Sequence, residues 1–203
     1  MHSIQGMVKS TLEIKKSTFL GFVFPVESTL DVKRILADIK RQYPGANHYC
    51  FAYSIGENAE QQKFDDDGEP SQTAGFPMMQ VLQKQDLTNV LAIVIRFFGG
   101  VKLGASGLVR AYTKAISTAL KDAVIVSPIR VYHVDITVSF SMSGSVEHYL
   151  REHVTVNDIT YTSHVTYHIT VQQDALDALT RRITDMTHAQ ATIDVLDDVL
   201  VYQ

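Results

Sequence analysis

Gly99, Gly100, Gly104 and Gly107 fall within nine residues, between an apolar run and a helical pattern. Glycine lets backbone amides approach a ligand closely, and a helix start adds roughly half a positive charge. Gly99 to Ser106 even has the spacing of a phosphate-cradling Walker A loop, but Ala105 stands where its lysine must be. Without that lysine nothing reaches a β/γ-phosphate, so an NTPase is not expected. Two readings stay open for the loop: an anion site, or a tight strand-to-helix turn that needs glycine for its backbone angles alone. Arg110, Lys114 and Lys121 follow at spacings of four and seven, on one face of the next helix with Ser117 among them. Leu108, Tyr112, Ile116, Ala119 and Ala123 take the opposite face. With Arg96 and Lys102 these cations make a candidate phosphate-backbone track. The plain alternative is a solvated helix face.

Asp65-Asp66-Asp67-Gly68-Glu69 sets four carboxylates in five residues, enough oxygen for Mg²⁺ or Ca²⁺. The alternating acids and distal glutamate of an EF-hand are absent, which favours a solvated acidic turn leading into a helix. His48 and Cys50 share one face of a strand, where a nucleophilic Cys–His pair competes with a buried thiol beside a satisfied histidine. With one cysteine, no Cys-x-x-Cys and no His-x-x-x-His spacing around His48, neither zinc nor any other cofactor is expected. His48, Asp66, Asp67 and Glu69 are therefore a possible functional cluster, and a small hydrolase built on them is an alternative function. No complete catalytic constellation can be read, so no catalytic residue is assigned and an enzyme is the less favoured class.

The elements that must hold these groups follow from periodicity. Met7 to Ile14 and Ser17 to Val26 are expected as paired strands, Leu30 to Tyr43 as an amphipathic helix, and Asn47 to Ile55 as a strand. Gly56 to Gln62 is expected as a turn, Thr73 to Gln83 as a helix and Ser106 to Ala123 as a long helix. Thr88 to Phe98 is nearly continuous in apolar residues, so it should be a central strand buried on both faces. After Pro128 the order is strand, helix, a hairpin turning at Thr162-Ser163, helix and strand, the βαββαβ pattern of the ferredoxin-like unit. His133, His164 and His168 should be polar pleats on the outer face of that sheet.

Charge divides the chain in the same place. Through Ser127 there are fourteen basic residues against twelve acidic, a balance of +2. From Pro128 onward four arginines face ten acids, a balance of −6 with no lysine. The shift at Val126-Ser127-Pro128 predicts two domains, 1–127 and 128–203, and assigns any nucleic-acid contact to the first. An apolar content of 45% and a charged content of 20% exclude disorder and collagen-like repeats. No apolar run approaches the about 20 residues a bilayer needs, no export signal is visible, and the lone Cys50 forms no internal disulfide. A cytoplasmic protein without membrane contact is expected.

Four blocks in order carry a resemblance to a known family: Lys15 to Phe19, Ala46 to Tyr53, Asp66 to Met78, and Arg96 to Gly104 continuing through Gly107 to Tyr112. They resemble the IMPACT family in its bacterial two-domain form. Gln72 and Ser106 depart from the pattern, which usually has glycine at both points. The resemblance implies an α+β chain, with a first domain like the second domain of ribosomal protein S-five. A ferredoxin-like second domain, like the later domains of elongation factor G, follows it. Eukaryotic relatives regulate translation by competing with a kinase for its large ribosome-associated activator. The leading expectation is thus a non-enzymatic regulatory protein linked to translation that contacts RNA or the ribosome through the glycine-rich loop and basic helix. A protein-partner module in translation-stress signalling is an alternative.

Overall fold

The computed structural model describes all residues from Met1 to Gln203. They divide into two compact units, Met1–Ser127 with Tyr202, and Pro128–Val201 with Gln203.

The first unit is built on β2 (Val8–Ile14), β3 (Ser17–Pro25), β4 (His48–Ile55), β5 (Gln61–Asp65) and β6 (Val90–Phe97). Together they form one antiparallel sheet of order β2-β3-β6-β4-β5. A two-stranded ribbon, β1 (Ser3–Ile4) with β7 (Ile125–Val126), joins the ends of the unit. Alternation along β6 sends Leu91, Ile93 and Ile95 to one face, where α1 (Thr29–Gln42) covers them through Val32 and Ile39. Val90, Ala92 and Val94 face α2 (Gly75–Lys84) and α3 (Ala105–Ala119) on the other. Helices on both faces explain why this antiparallel strand carries the unbroken apolar run usual in parallel sheets. Each fully buried Leu or Ile side chain there contributes about 1.5–3 kcal/mol. Arg96 is the one charge in the strand.

The helix starts differ in origin. Ser28 caps α1 in a capping box with Asp31, a local signal. Neither α2 nor α3 is capped by its own side chain, since Ala74 and Gly104 hold the cap positions. The segment after Ile55 is a turn only to its midpoint: β5 then forms, exposed along its whole length, as an edge strand that periodicity alone did not reveal. The long helix is shorter than expected, and Lys121 lies in a single 3₁₀ turn beyond it.

The second unit runs β8 (Pro128–Val138), α4 (Phe140–His153), β9 (Thr155–Tyr161), β10 (Val165–Gln172), α5 (Gln173–Met186) and β11 (Thr192–Tyr202). Its sheet order is β11-β8-β10-β9, so the first and third strands are central, the ferredoxin-like arrangement expected from the βαββαβ order. Val134, Ile136 and Val138 pack with Tyr167, Leu150 and Ile183 in its core. On the opposite face His168 Nδ1 lies 2.6 Å from Asp135, and His133 Nδ1 lies 2.7 Å from Asp197. His164 belongs to the turn before β10 rather than to that face.

Candidate functional site

Register brings the site together. Phe19 on β3, Arg96 on β6 and His48 on β4 are direct cross-strand neighbours, so they form one row on the α3 side of the sheet. Glu69 reaches over that row from the turn between β5 and α2. Arg96 donates from Nη1 to Glu69 Oε1 at 2.6 Å, and the Tyr112 hydroxyl from α3 donates to the same oxygen at 2.8 Å. Both members of the pair are 4–5% exposed at their side chains. The guanidinium also lies 5.3 Å from the ring centres of both Phe19 and Phe98.

This corrects the expectation for Arg96. It is not a surface phosphate contact, because the sheet register turns it inward, where a buried carboxylate and two aromatic rings engage it. Its Nε–H is buried without any partner.

The acidic turn is also reassigned. Asp66 accepts backbone N–H bonds from Gln72, Ala74 and Gly75 at 2.7, 3.0 and 2.8 Å. It therefore supplies the cap that α2 lacks, from nine residues upstream. Asp67 accepts from Tyr49 N at 2.6 Å and fastens the turn to β4, and Asp65 accepts from Asp67 N at 2.7 Å. These carboxylates are spent on backbone donors and form no cluster suited to a metal ion. Gln72 adopts φ +62, a backbone that glycine reaches without strain, whereas Ser106 sits in the first turn of α3.

Of the possible functional cluster, only His48 and Glu69 are brought together around open space. His48 Nδ1 lies 2.8 Å from the Asp67 carbonyl oxygen, which can only accept, so Nδ1 carries a proton. Nε2 is turned toward Glu69 Oε2 at 3.9 Å. Cys50 takes no part. Its Sγ is buried, 3.0 Å from the Asp66 carbonyl oxygen, and burial pushes the thiol far above its ordinary range. A thiolate nucleophile is thereby ruled out at neutral pH. Burial likewise pushes the Tyr112 phenol up, so it remains a donor to Glu69.

The glycine loop has a structural account. Gly100 and Gly104 adopt φ +83 and +74, the left-handed region. Gly99 is needed for closeness: a Cβ there would lie 2.0 Å from the backbone carbon and oxygen of Lys16. Gly107 lies within α3. Ser17 Oγ accepts from Gly99 N at 3.1 Å, and Asn47 Oδ1 accepts from Phe98 N at 2.8 Å, which ties the loop to β3 and β4. Gly99→Ala should therefore destabilise the chain by roughly 1–3 kcal/mol and shift the amide resonances of Lys16 and Ser17. Gly100→Ala meets open space and should leave those two resonances in place. Equal shifts of the Lys16 and Ser17 resonances in both variants would show that closeness is not the constraint at Gly99.

Two hollows flank the loop. A cleft of about 400 Å³ is lined by His48, Glu69, Arg96, Phe98 and Lys102 together with Gly104 and Ala105 at the start of α3. A smaller hollow of about 200 Å³ is lined by Lys15, Arg110 and Lys114 over Ile14, Leu103 and Ala111. The three cations and Lys102 are exposed, and none makes an ion pair, nor does Lys121. Lys15 was missed as a site residue. Its signal is the two-residue turn Lys15-Lys16, whose φ values of +49 and +66 are unusual for lysine and aim the turn at α3. Tyr112 was missed because its helical spacing reads as core.

A family model described as the Impact N-terminal domain matches residues 15–120, and a domain of unknown function, DUF1949, matches residues 136–190. IMPACT family member YvyE of Bacillus subtilis is 36% identical over 192 residues, which cover 93% of this chain and 87% of that relative. The chain belongs to the IMPACT family. A further IMPACT family member, from Haemophilus influenzae, is 43% identical over 111 residues, 54% of each chain. Protein IMPACT of Danio rerio is 35% identical over 95 residues, 44% of this chain but 29% of the fish protein. A crystal structure of a hypothetical protein superposes with a TM-score of 0.69 at 24% identity, covering 97% of both chains, and shares the fold of this IMPACT family member. No helix in it is long and apolar enough to cross a membrane.

Proposed function

We propose that this chain is a non-enzymatic binding module connected with translation, and that its first unit engages RNA or a ribosomal surface. The single observation that carries this reading is the convergence of Lys15, Arg110 and Lys114 on one hollow, all exposed and without acidic partners. Lys102 and Lys121 extend the same positive character before and after α3. Unpaired cations on a rigid helix and turn suit phosphate contacts, which position a nucleic acid without reading its sequence. The second unit, at −6 with its open sheet face occupied by His–Asp pairs, is unsuited to phosphate or to base stacking.

Replacing Lys102, Arg110 and Lys114 together by alanine in the full chain tests the reading. Affinity for RNA or ribosomes should fall, and the slope of log affinity against log salt should drop by about 2–3. The melting temperature should hold, because exposed charges contribute about 0–1 kcal/mol each. Unchanged affinity in the triple variant would overturn the proposal. A protein-partner reading has its own observation: β11 is an eleven-residue edge strand with Val195, Leu196 and Val199 exposed. Docking there would give a shallow salt slope, unmoved by the triple variant.

A further inference from the structure

We propose that the larger cleft is a binding site for a nucleoside monophosphate, free or as the phosphorylated end of an RNA. This site is separate from the Lys15–Arg110–Lys114 hollow and shares only Lys102 with the RNA-surface reading.

The anion end is the start of α3. Gly104 provides no side-chain cap and the first turn has no acidic residue, so the leading N–H groups of the helix remain open to a ligand. Lys102 lies on the same rim. Arg96 is neutralised by Glu69, which leaves Lys102 and the helix start as the uncompensated positive charge of the cleft.

The second, independent observation is the polar floor. Arg96 is 4% exposed, lines the cleft, and keeps one buried donor, Nε–H, with no protein partner. A buried donor left without a partner is unfavourable, so a ligand that brings an acceptor to it is favoured there. Beside it stand the acceptor Glu69 Oε2 and the ring nitrogen Nε2 of His48, 3.9 Å apart. A donor next to a carboxylate acceptor and an imidazole matches the mixed donor–acceptor edge of a nucleobase rather than a simple carboxylic acid.

The planar requirement comes from Phe98. Phe98 is 45% exposed at the rim, with its backbone N–H held by Asn47 and its ring set against the Arg96 guanidinium. Exposed aromatic rings held in place are stacking surfaces for bases. A volume of about 400 Å³ falls within the range of small-molecule sites and suits one nucleotide.

The test is a titration of the full chain, labelled with ¹⁵N, with AMP, GMP, CMP and UMP, with inorganic phosphate, and with short RNAs bearing a 5′-phosphate or a 5′-hydroxyl. Saturable shifts are expected at Phe98, Ala105, Ser106 and Gly107, with at least one nucleotide tighter than inorganic phosphate. Saturation by the 5′-phosphorylated RNA alone assigns the site to RNA ends; saturation by the mononucleotide assigns it to free nucleotide. Phe98→Leu keeps the apolar bulk but removes the stacking face. It should weaken nucleotide binding about tenfold, leaving inorganic phosphate unaffected. Lys102→Ala should weaken both. The site is refuted if no ligand saturates these amides, if inorganic phosphate binds as tightly as every nucleotide, or if Phe98→Leu changes nothing. Such a refutation leaves the Arg110 and Lys114 face untouched, since binding of 5′-hydroxyl RNA and its salt slope report that face alone.

Discussion

Glu69→Ala is expected to cost about 3–5 kcal/mol, the usual loss when one partner of a buried ion pair is removed. The pair is only 4–5% exposed, and its 2.6 Å contact is the sole ionic partner of Arg96. Without Glu69 the guanidinium keeps its charge, since no environment in a protein deprotonates it. It retains Ser17 Oγ at 3.4 Å and the two aromatic rings, which do not replace a carboxylate. Tyr112 loses its acceptor in the same step. Glu69→Gln should fall between, because an amide oxygen still accepts but carries no charge. Arg96→Met combined with Glu69→Leu should regain much of the loss, as apolar replacements of buried pairs commonly do. Urea unfolding of the four proteins measures this. A loss under about 1 kcal/mol for Glu69→Ala would mean that water reaches Arg96 and the pair is not sealed.

Asp66→Ala should cost about 2–3 kcal/mol, the scale for hydrogen bonds to a charged acceptor together with a lost helix cap. Three backbone donors converge on this one carboxylate, two of them at the cap and first residue of α2. The negative charge also lies at the positive end of the helix. Asp66→Asn should recover part of the loss, since its oxygen still accepts. Added Mg²⁺ or Ca²⁺ should change the melting temperature of neither variant nor parent, because the neighbouring acids are committed to backbone N–H groups. A cation-dependent rise in the parent that Asp66→Ala abolishes would restore the metal reading of the turn.

Several features were legible in the sequence because they depend on short-range patterning. The unbroken apolar run at Leu91 to Ile95 predicts a strand covered on both faces, and alternation at Tyr132 to Val138 predicts a half-buried one. Amphipathic spacing from Leu30 to Tyr43 predicts a helix, which forms over Thr29–Gln42. The blocks from Lys15 to Tyr112 carry the family resemblance with no structure at all. Arg110 and Lys114 read correctly as exposed, since helical spacing sorts them away from Leu108 and Tyr112.

What only the tertiary structure decided depends on partners distant in the chain. Arg96 and Lys102 look alike as cations near a glycine loop, but cross-strand register sets Arg96 between Phe19 and His48 and beneath Glu69, 27 residues away. Asp66 and Glu69 are three residues apart in one acidic run. One caps a helix from outside it, whereas the other neutralises a buried arginine. Gly99 owes its identity to the backbone of Lys16, which no local signal reveals. Local sequence fixes which face of an element a side chain takes, because that follows from backbone period. It does not fix what stands opposite that face, because pairing between elements is settled by the packing of the whole unit.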